Sequence, residues 1–201
     1  MIYESLQIIA DEVNVFFRQQ GLADSGDVVV LDNIALADSD HESAAEMANK
    51  VVLSLLTIDE EATLRNMPNR NVVNNRTEYL NEKINLNLYI LFSGNKTYYK
   101  DSLRFVSKVI EFFQSKNKFT QANTSFNRSL PPFDEIEEFR FTLELYTPTF
   151  EDLNYIWGTL GGKQYPSALY KLSLVTIYHN LPVTEAPNLN EVDLNFTDTN
   201  N

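Results

Sequence analysis

The 201-residue chain contains no cysteine, two histidines, one tryptophan and six glycines. Without cysteine there is no disulfide, no thiolate nucleophile and no sulfur ligand for zinc. The histidines, His41 and His179, do not stand in the H-E-x-x-H spacing of a zinc-binding helix. Ser93-Gly94-Asn95-Lys96 lacks the glycine spacing of a phosphate loop, and Gly161-Gly162 carries no G-x-G-x-x-G fingerprint. No serine is framed by a G-x-S-x-G elbow. No apolar run reaches the ~18 residues needed to span a bilayer. The opening MIYESLQIIADEV has acids where a signal peptide has basic residues. The expectation is one soluble, cytoplasmic domain without catalytic machinery, that is, not an enzyme.

Acids outnumber bases 28 to 16, giving a formal net charge of −12. That excess argues against a general nucleic-acid or membrane binder. Its distribution is uneven. Residues 1–64 hold 13 acids and 2 bases, residues 65–130 hold 4 acids and 11 bases, and residues 131–201 hold 11 acids and 3 bases. Oppositely charged regions let copies of a chain attract one another head to tail. The competing reading is a solvated surface with uneven charge. Asp38, Asp40, His41 and Glu42 form the densest group of metal-type ligands, but a calcium loop needs more ligands and a glycine in register. The segment reads as an exposed acidic turn, and the acids of 134–138 as the solvated start of a strand or turn rather than a catalytic carboxylate pair. No metal and no cofactor is expected.

Periodicity supplies the elements. Ile2, Leu6, Ile9, Val13 and Phe16 recur at helical steps, with Gly21 just beyond as a stop. Residues 27–36 read as a short strand and a turn, 38–47 as loop or one helical turn, and 50–61 as a strand buried on both faces over much of its length. The polar stretch 62–84 has no period and reads as a long functional or mobile loop. Residues 84–93 alternate as a strand and end at a Ser93-Gly94-Asn95 turn. A helix follows over about 97–114, with Tyr99, Leu103, Val106, Ile110 and Phe113 as its apolar stripe and Lys96, Lys100, Arg104 and Lys108 as a basic one. Phe139, Phe141, Leu143 and Leu145 point inward from a strand over 139–146. Thr147 or Thr149 caps a short helix bearing Phe150, Leu153, Trp157 and Leu160 on one face. Gly161 or Gly162 ends that helix in the left-handed conformation, and Pro166 launches a last strand over 167–178. The expected fold class is α/β (α+β), with a mixed, largely antiparallel sheet packed on helices.

Three blocks, NLNLYILFSGN, YYKDSLRFVSKVIEFFQSKNKFT and LYTPTFEDLNYIWGTLGGKQYPSALYKLSLVTI, occur here in that order. Together they resemble the Pvc16-like cap family of extracellular contractile injection systems, phage-tail-like particles of the antifeeding-prophage and Photorhabdus virulence cassette type. The resemblance covers about Tyr3 to Tyr178. Its most specific part is Trp157, Leu160, Gly161, Gln164, Tyr165, Pro166, Ser167 and Tyr170. It implies a tail-terminator fold over 1–181; beyond it, four acids, no bases and little pattern read as an acidic C-terminal tail, 182–201. It further implies a structural cap, a homohexameric ring at the distal end of inner tube and sheath that stops their polymerisation. The implied partners are the chain itself, the tube protein and the sheath protein, with no nucleic acid and no membrane. Assembly would be cytoplasmic, with the ring then part of the particle. The alternative is a soluble adaptor or cargo-loading chaperone of the same system. Lys100, Arg104 and Lys108 are the candidate subunit or tube contact, against the bland reading of a solvated helix face.

Overall fold

The computed structural model describes residues 1–22, 26–61, 70–73, 76–80, 84–124, 139–177 and 182–187. In chain order these form α1 (Ile2–Gln19), β1 (Val29–Leu31), a 3-10 turn (Ile34–Leu36), α2 (Glu42–Met47), β2 (Lys50–Glu60), β3 (Arg70–Val73) and β4 (Arg76–Leu80). There follow β5 (Ile84–Asn95), α3 (Tyr99–Ser115), β6 (Lys118–Thr120), β7 (Arg140–Tyr146), α4 (Phe150–Thr159), β8 (Ser167–Ile177) and β9 (Pro182–Pro187).

The strict alternation of β5 places it at the heart of a six-stranded sheet, ordered β1-β2-β5-β8-β7-β6. Only β1 and β2 run parallel; the other neighbours are antiparallel. A second sheet has the order β3-β4-β9. β3 follows β2, β4 precedes β5, and β9 follows β8, so the small sheet repeats the neighbour order of the three strands that lead into and out of it.

Alternation gives the large sheet two apolar faces. One carries Leu88, Ile90, Phe92, Tyr170 and Leu172 and is covered by α1 and α3, whose Ile9, Val13, Phe17, Val109 and Phe113 lie in the same cluster. The other carries Val52, Leu91 and Leu169 and is covered by Ile34, Met47 and Trp157 from the 3-10 turn, α2 and α4. The result is a mixed α/β fold of three layers. An edge strand needs a cover for its open backbone groups. Buried Asn14 of α1 supplies one: its side chain accepts from Val28 and Val29 N–H (2.9 and 2.8 Å) and donates to Val29 O (2.8 Å). Lys116 pairs with Glu12, tying the end of α3 to α1.

Several expectations are corrected. β5 does not turn at 93–95 but runs on to Asn95, where Ser93, Gly94 and Asn95 still pair with Val52, Val51 and Lys50 of β2, and Gly94 lets Ser102 of α3 approach closely. A Cβ on Gly94 would lie 2.9 Å from Ser102 Cβ. The buried stripe of α3 is Ser102, Val106, Val109, Phe112 and Phe113, while Tyr99, Leu103 and Ile110 are exposed. Ser102 takes a core position because its hydroxyl donates to Gly94 O (2.9 Å) and accepts from Lys96 N–H (3.2 Å), which turns the helix away from the expected face. Leu145 and Phe150 are also exposed, at 55% and 92%. β2 is buried on both faces only over Val51–Ser54, and 57–60 are exposed. The stretch 62–84 contains the paired strands β3 and β4, and Pro182–Pro187, read as the start of a tail, pair with β4. Residues 134–138, His179 and 188–201 lie outside the described residues.

Among the described residues no helix is long and apolar enough to cross a membrane.

Candidate functional site

The three bases expected to form a contact stripe separate in their surroundings. Lys108 bonds Glu111 at 2.6 Å, one turn along the same helix. Lys100 and Arg104 are exposed, and neither has an ion-pair partner among the described residues. Lys96, in phase with them by sequence, is held within the fold: its ammonium donates to Asn49 O (2.7 Å) and lies 3.9 Å from the centre of the Phe105 ring. Burial pushes its pKa down, as a cation removed from water requires. Flanking Lys100 and Arg104 are Tyr98, Tyr99 and Leu103, at 64%, 70% and 46% exposure. The outer face of α3 is therefore an unpaired cationic ridge with aromatic shoulders. Sequence reasoning had placed Tyr99 and Leu103 inside; the signal it missed was the stripe Ser102, Val106, Val109, Phe113, which has helical steps but starts on a small polar residue.

The acidic segment 38–46 lies across the sheet, where Met47 anchors α2 in the second cluster. Asp38 is engaged, bonding Lys163 (2.6 Å) and Tyr165 Oη (3.1 Å). The hydrogen bond from Lys163 holds the Asp38 carboxyl below its usual range, and the same bond raises Lys163. His41 caps α2, its Nδ1 accepting from Ser43 N–H at 3.2 Å. Asp40, Glu42 and Glu46 are exposed. Among the described residues no three His, Asp or Glu side chains converge to hold a metal.

The motif residues from Trp157 to Tyr170 gather at the junction of α4 and β8. Thr149 and Asp152 form a capping box, with Asp152 N–H donating to Thr149 Oγ1 (3.2 Å) and Thr149 N–H to Asp152 Oδ2 (3.0 Å). The Thr149 hydroxyl also donates to this carboxylate and, chiefly through that bond, holds it below its usual range. Trp157 is 5% exposed, its ring 6.0 Å from that of Tyr165, with Leu160 half-buried beside them. Gly161 and Gly162, at φ +99° and +79°, reverse the chain after the helix. Pro166 O accepts from Gly94 N–H (2.9 Å), and Ser167 opens β8 opposite Ser93. Tyr170 reaches the other face of the sheet, its ring 4.8 Å from Phe113, and burial pushes its pKa up to about 12. Trp157, Leu160 and Tyr165 thus pack together on one face of the sheet, while Tyr170 packs on the other.

Two open grooves flank α4. One, of about 510 Å³, lies between α4 and the strands, walled by Leu55, Leu56, Tyr89, Tyr146, Tyr155 and Ile156. The other, of about 310 Å³, lies where β7 ends at Tyr146 and is walled by Ile110, Leu145, Pro148 and Leu153. Neither converges charged groups on a point, and both have largely apolar walls.

The solved structure of a sheath/tube terminator from the extracellular contractile injection system PVC, in its extended state, is similar to 96% of this chain, with a TM-score of 0.58 and 14% identity. That likeness is one of fold, and this chain spans 64% of that protein's length. The tube-terminating cap of the anti-feeding prophage is similar to 73% of this chain and 49% of its own, with a TM-score of 0.49 and 15% identity. No curated protein matches in sequence. The family described as the Pvc16 N-terminal domain matches residues 6–191, and the chain belongs to that family.

Proposed function

We propose that this chain ends the growth of an inner tube and sheath in a contractile injection system, as a six-membered ring seated on the last layer of both. The observation that carries this reading is the family match over residues 6–191. The fold likeness over 96% of the chain to a sheath/tube terminator agrees with it. So does the surface, which offers grooves with apolar walls and, on α3, two exposed bases without ion-pair partners among the described residues. A terminator stops addition by occupying the site where the next subunit would bind, so its partners are the tube protein, the sheath protein and further copies of itself. Assembly takes place in the cytoplasm, and the ring leaves with the particle.

The test is to add the purified chain to tube subunits during polymerisation and measure lengths by electron microscopy. Growth that halts at ends bearing a ring of six subunits is expected. Tubes of the same length distribution with and without the chain would overturn the reading.

A further inference from the structure

The contact that would join copies in such a ring can be located from charge and from the place of each element. The outer face of α3 presents Lys100 and Arg104, exposed and without an acidic partner among the described residues, between Tyr98, Tyr99 and Leu103. The acids on α3 itself leave these two bases free. Glu111 is taken by Lys108, while half-buried Asp101 forms no ion pair with either base. On the other side of the sheet, Asp38 is taken by Lys163. Asp40, Glu42 and Glu46 remain exposed, with no ion-pair partner among the described residues.

The two charged surfaces thus belong to opposite helical layers of one molecule, α3 over the first face of the sheet and α2 over the second. Within one copy no ion pair joins the two patches among the described residues, and each matches the other on a neighbour. Tyrosine and arginine are residues that supply binding energy at protein contacts, while surrounding charge sets orientation and rate of encounter.

We propose that the outer face of α3 docks on the Asp40–Glu46 segment of a second copy, head to tail. The proposal rests on the terminator reading and names the contact inside its ring. Because the two patches differ, the contact is heterologous. It repeats from copy to copy and closes into a ring when the rotation between copies allows.

The experiment uses three full-length chains: wild type, Lys100→Glu/Arg104→Glu, and Glu42→Lys/Glu46→Lys. All four positions are exposed, and matching thermal melts establish that each variant folds. Mass in solution is measured across a concentration series at low and physiological salt. Wild type is expected to associate, more weakly as salt rises. Each variant alone is expected to associate roughly tenfold or more weakly, since like charges then face each other. An equimolar mixture of the two variants is expected to recover association, because every junction in an alternating assembly again pairs opposite signs.

A wild-type monomer at every concentration overturns the proposal. So does loss in one variant only, or loss in both without recovery on mixing. The same wild-type chain is also tested for arrest of tube growth. Wild type that caps tubes while the mixture fails to recover removes this contact and leaves the terminator reading standing. Wild type that associates through this contact but never arrests tubes removes the terminator reading alone.

Discussion

At the scale of single residues, Gly94 and Tyr170 decide how tightly α3 lies on the sheet. Any side chain at Gly94 meets both the Cβ and the backbone of Ser102, at 2.9 and 3.1 Å. Gly94→Ala must push the first turns of α3 outward, and a loss of about 1–3 kcal/mol is expected in chemical denaturation. Tyr170 is held un-ionised by burial, with its pKa up to about 12. Its folded value lies above the unfolded value near 10. The stability it contributes is therefore complete below pH 10 and is lost as pH rises through about 12. Urea midpoints compared between pH 9 and 11.5 should fall further for wild type than for Tyr170→Phe, which has no phenol to ionise there. Equal falls would show that this phenol does not limit alkaline stability.

At the scale of elements, the legibility of the sequence depended on whether neighbours respected the local period. β5 and the first half of β8 alternate cleanly and could be read. The bulges could not. β2 carries an extra residue where its pairing passes from Leu55/Ile90 to Thr57/Tyr89, and β8 where it passes from Leu172/Leu88 to Val175/Leu86. Beyond each bulge the inward parity changes, so an alternation rule carried through it points side chains to the wrong face. Leu56, the extra residue of the β2 bulge, lines the larger groove. The β3–β4 hairpin was missed because its sequence, Arg70–Val73 and Arg76–Leu80, is short and mostly polar, without a sustained alternation. Its one signal is the Asn-Asn pair between Val73 and Arg76, two residues suited to a tight hairpin turn. The candidate contact on α3 was half legible. The spacing of Lys100 and Arg104 was visible, but their freedom from partners, and the exposure of Tyr99 and Leu103, depended on Ser102 rotating the helix. Strand length now predicts exchange behaviour. Amides of 88–92 and 169–172, paired within the sheet's interior, should exchange with solvent only on global unfolding. Those of the three-residue edge strand β6 should exchange at least about a hundredfold faster in native-state hydrogen exchange.

At the scale of the whole molecule, the two apolar clusters share one sheet, so neither helical layer has an independent floor. This predicts a single cooperative transition. Trp157, the chain's one tryptophan, reports on the α4 layer, and far-ultraviolet circular dichroism reports on all elements. Their urea midpoints should coincide. An earlier change in fluorescence would mean that the α4 layer opens by itself. A mixed, largely antiparallel sheet packed on helices was legible from the element types, whereas the second sheet was not, since β9 pairs with β4, about a hundred positions earlier in the chain.

The division of α3 into a stripe that holds the fold and a ridge that does not has a further consequence. Inner and outer positions alternate along one helix, yet the outer set can change sign while the inner set keeps its packing. Under the proposed contact, a single chain carrying all four reversals, Lys100→Glu, Arg104→Glu, Glu42→Lys and Glu46→Lys, would still match its own kind and would repel the parent at every junction. Two lineages could then share one cell and one architecture while building separate particles, kept apart by four surface charges.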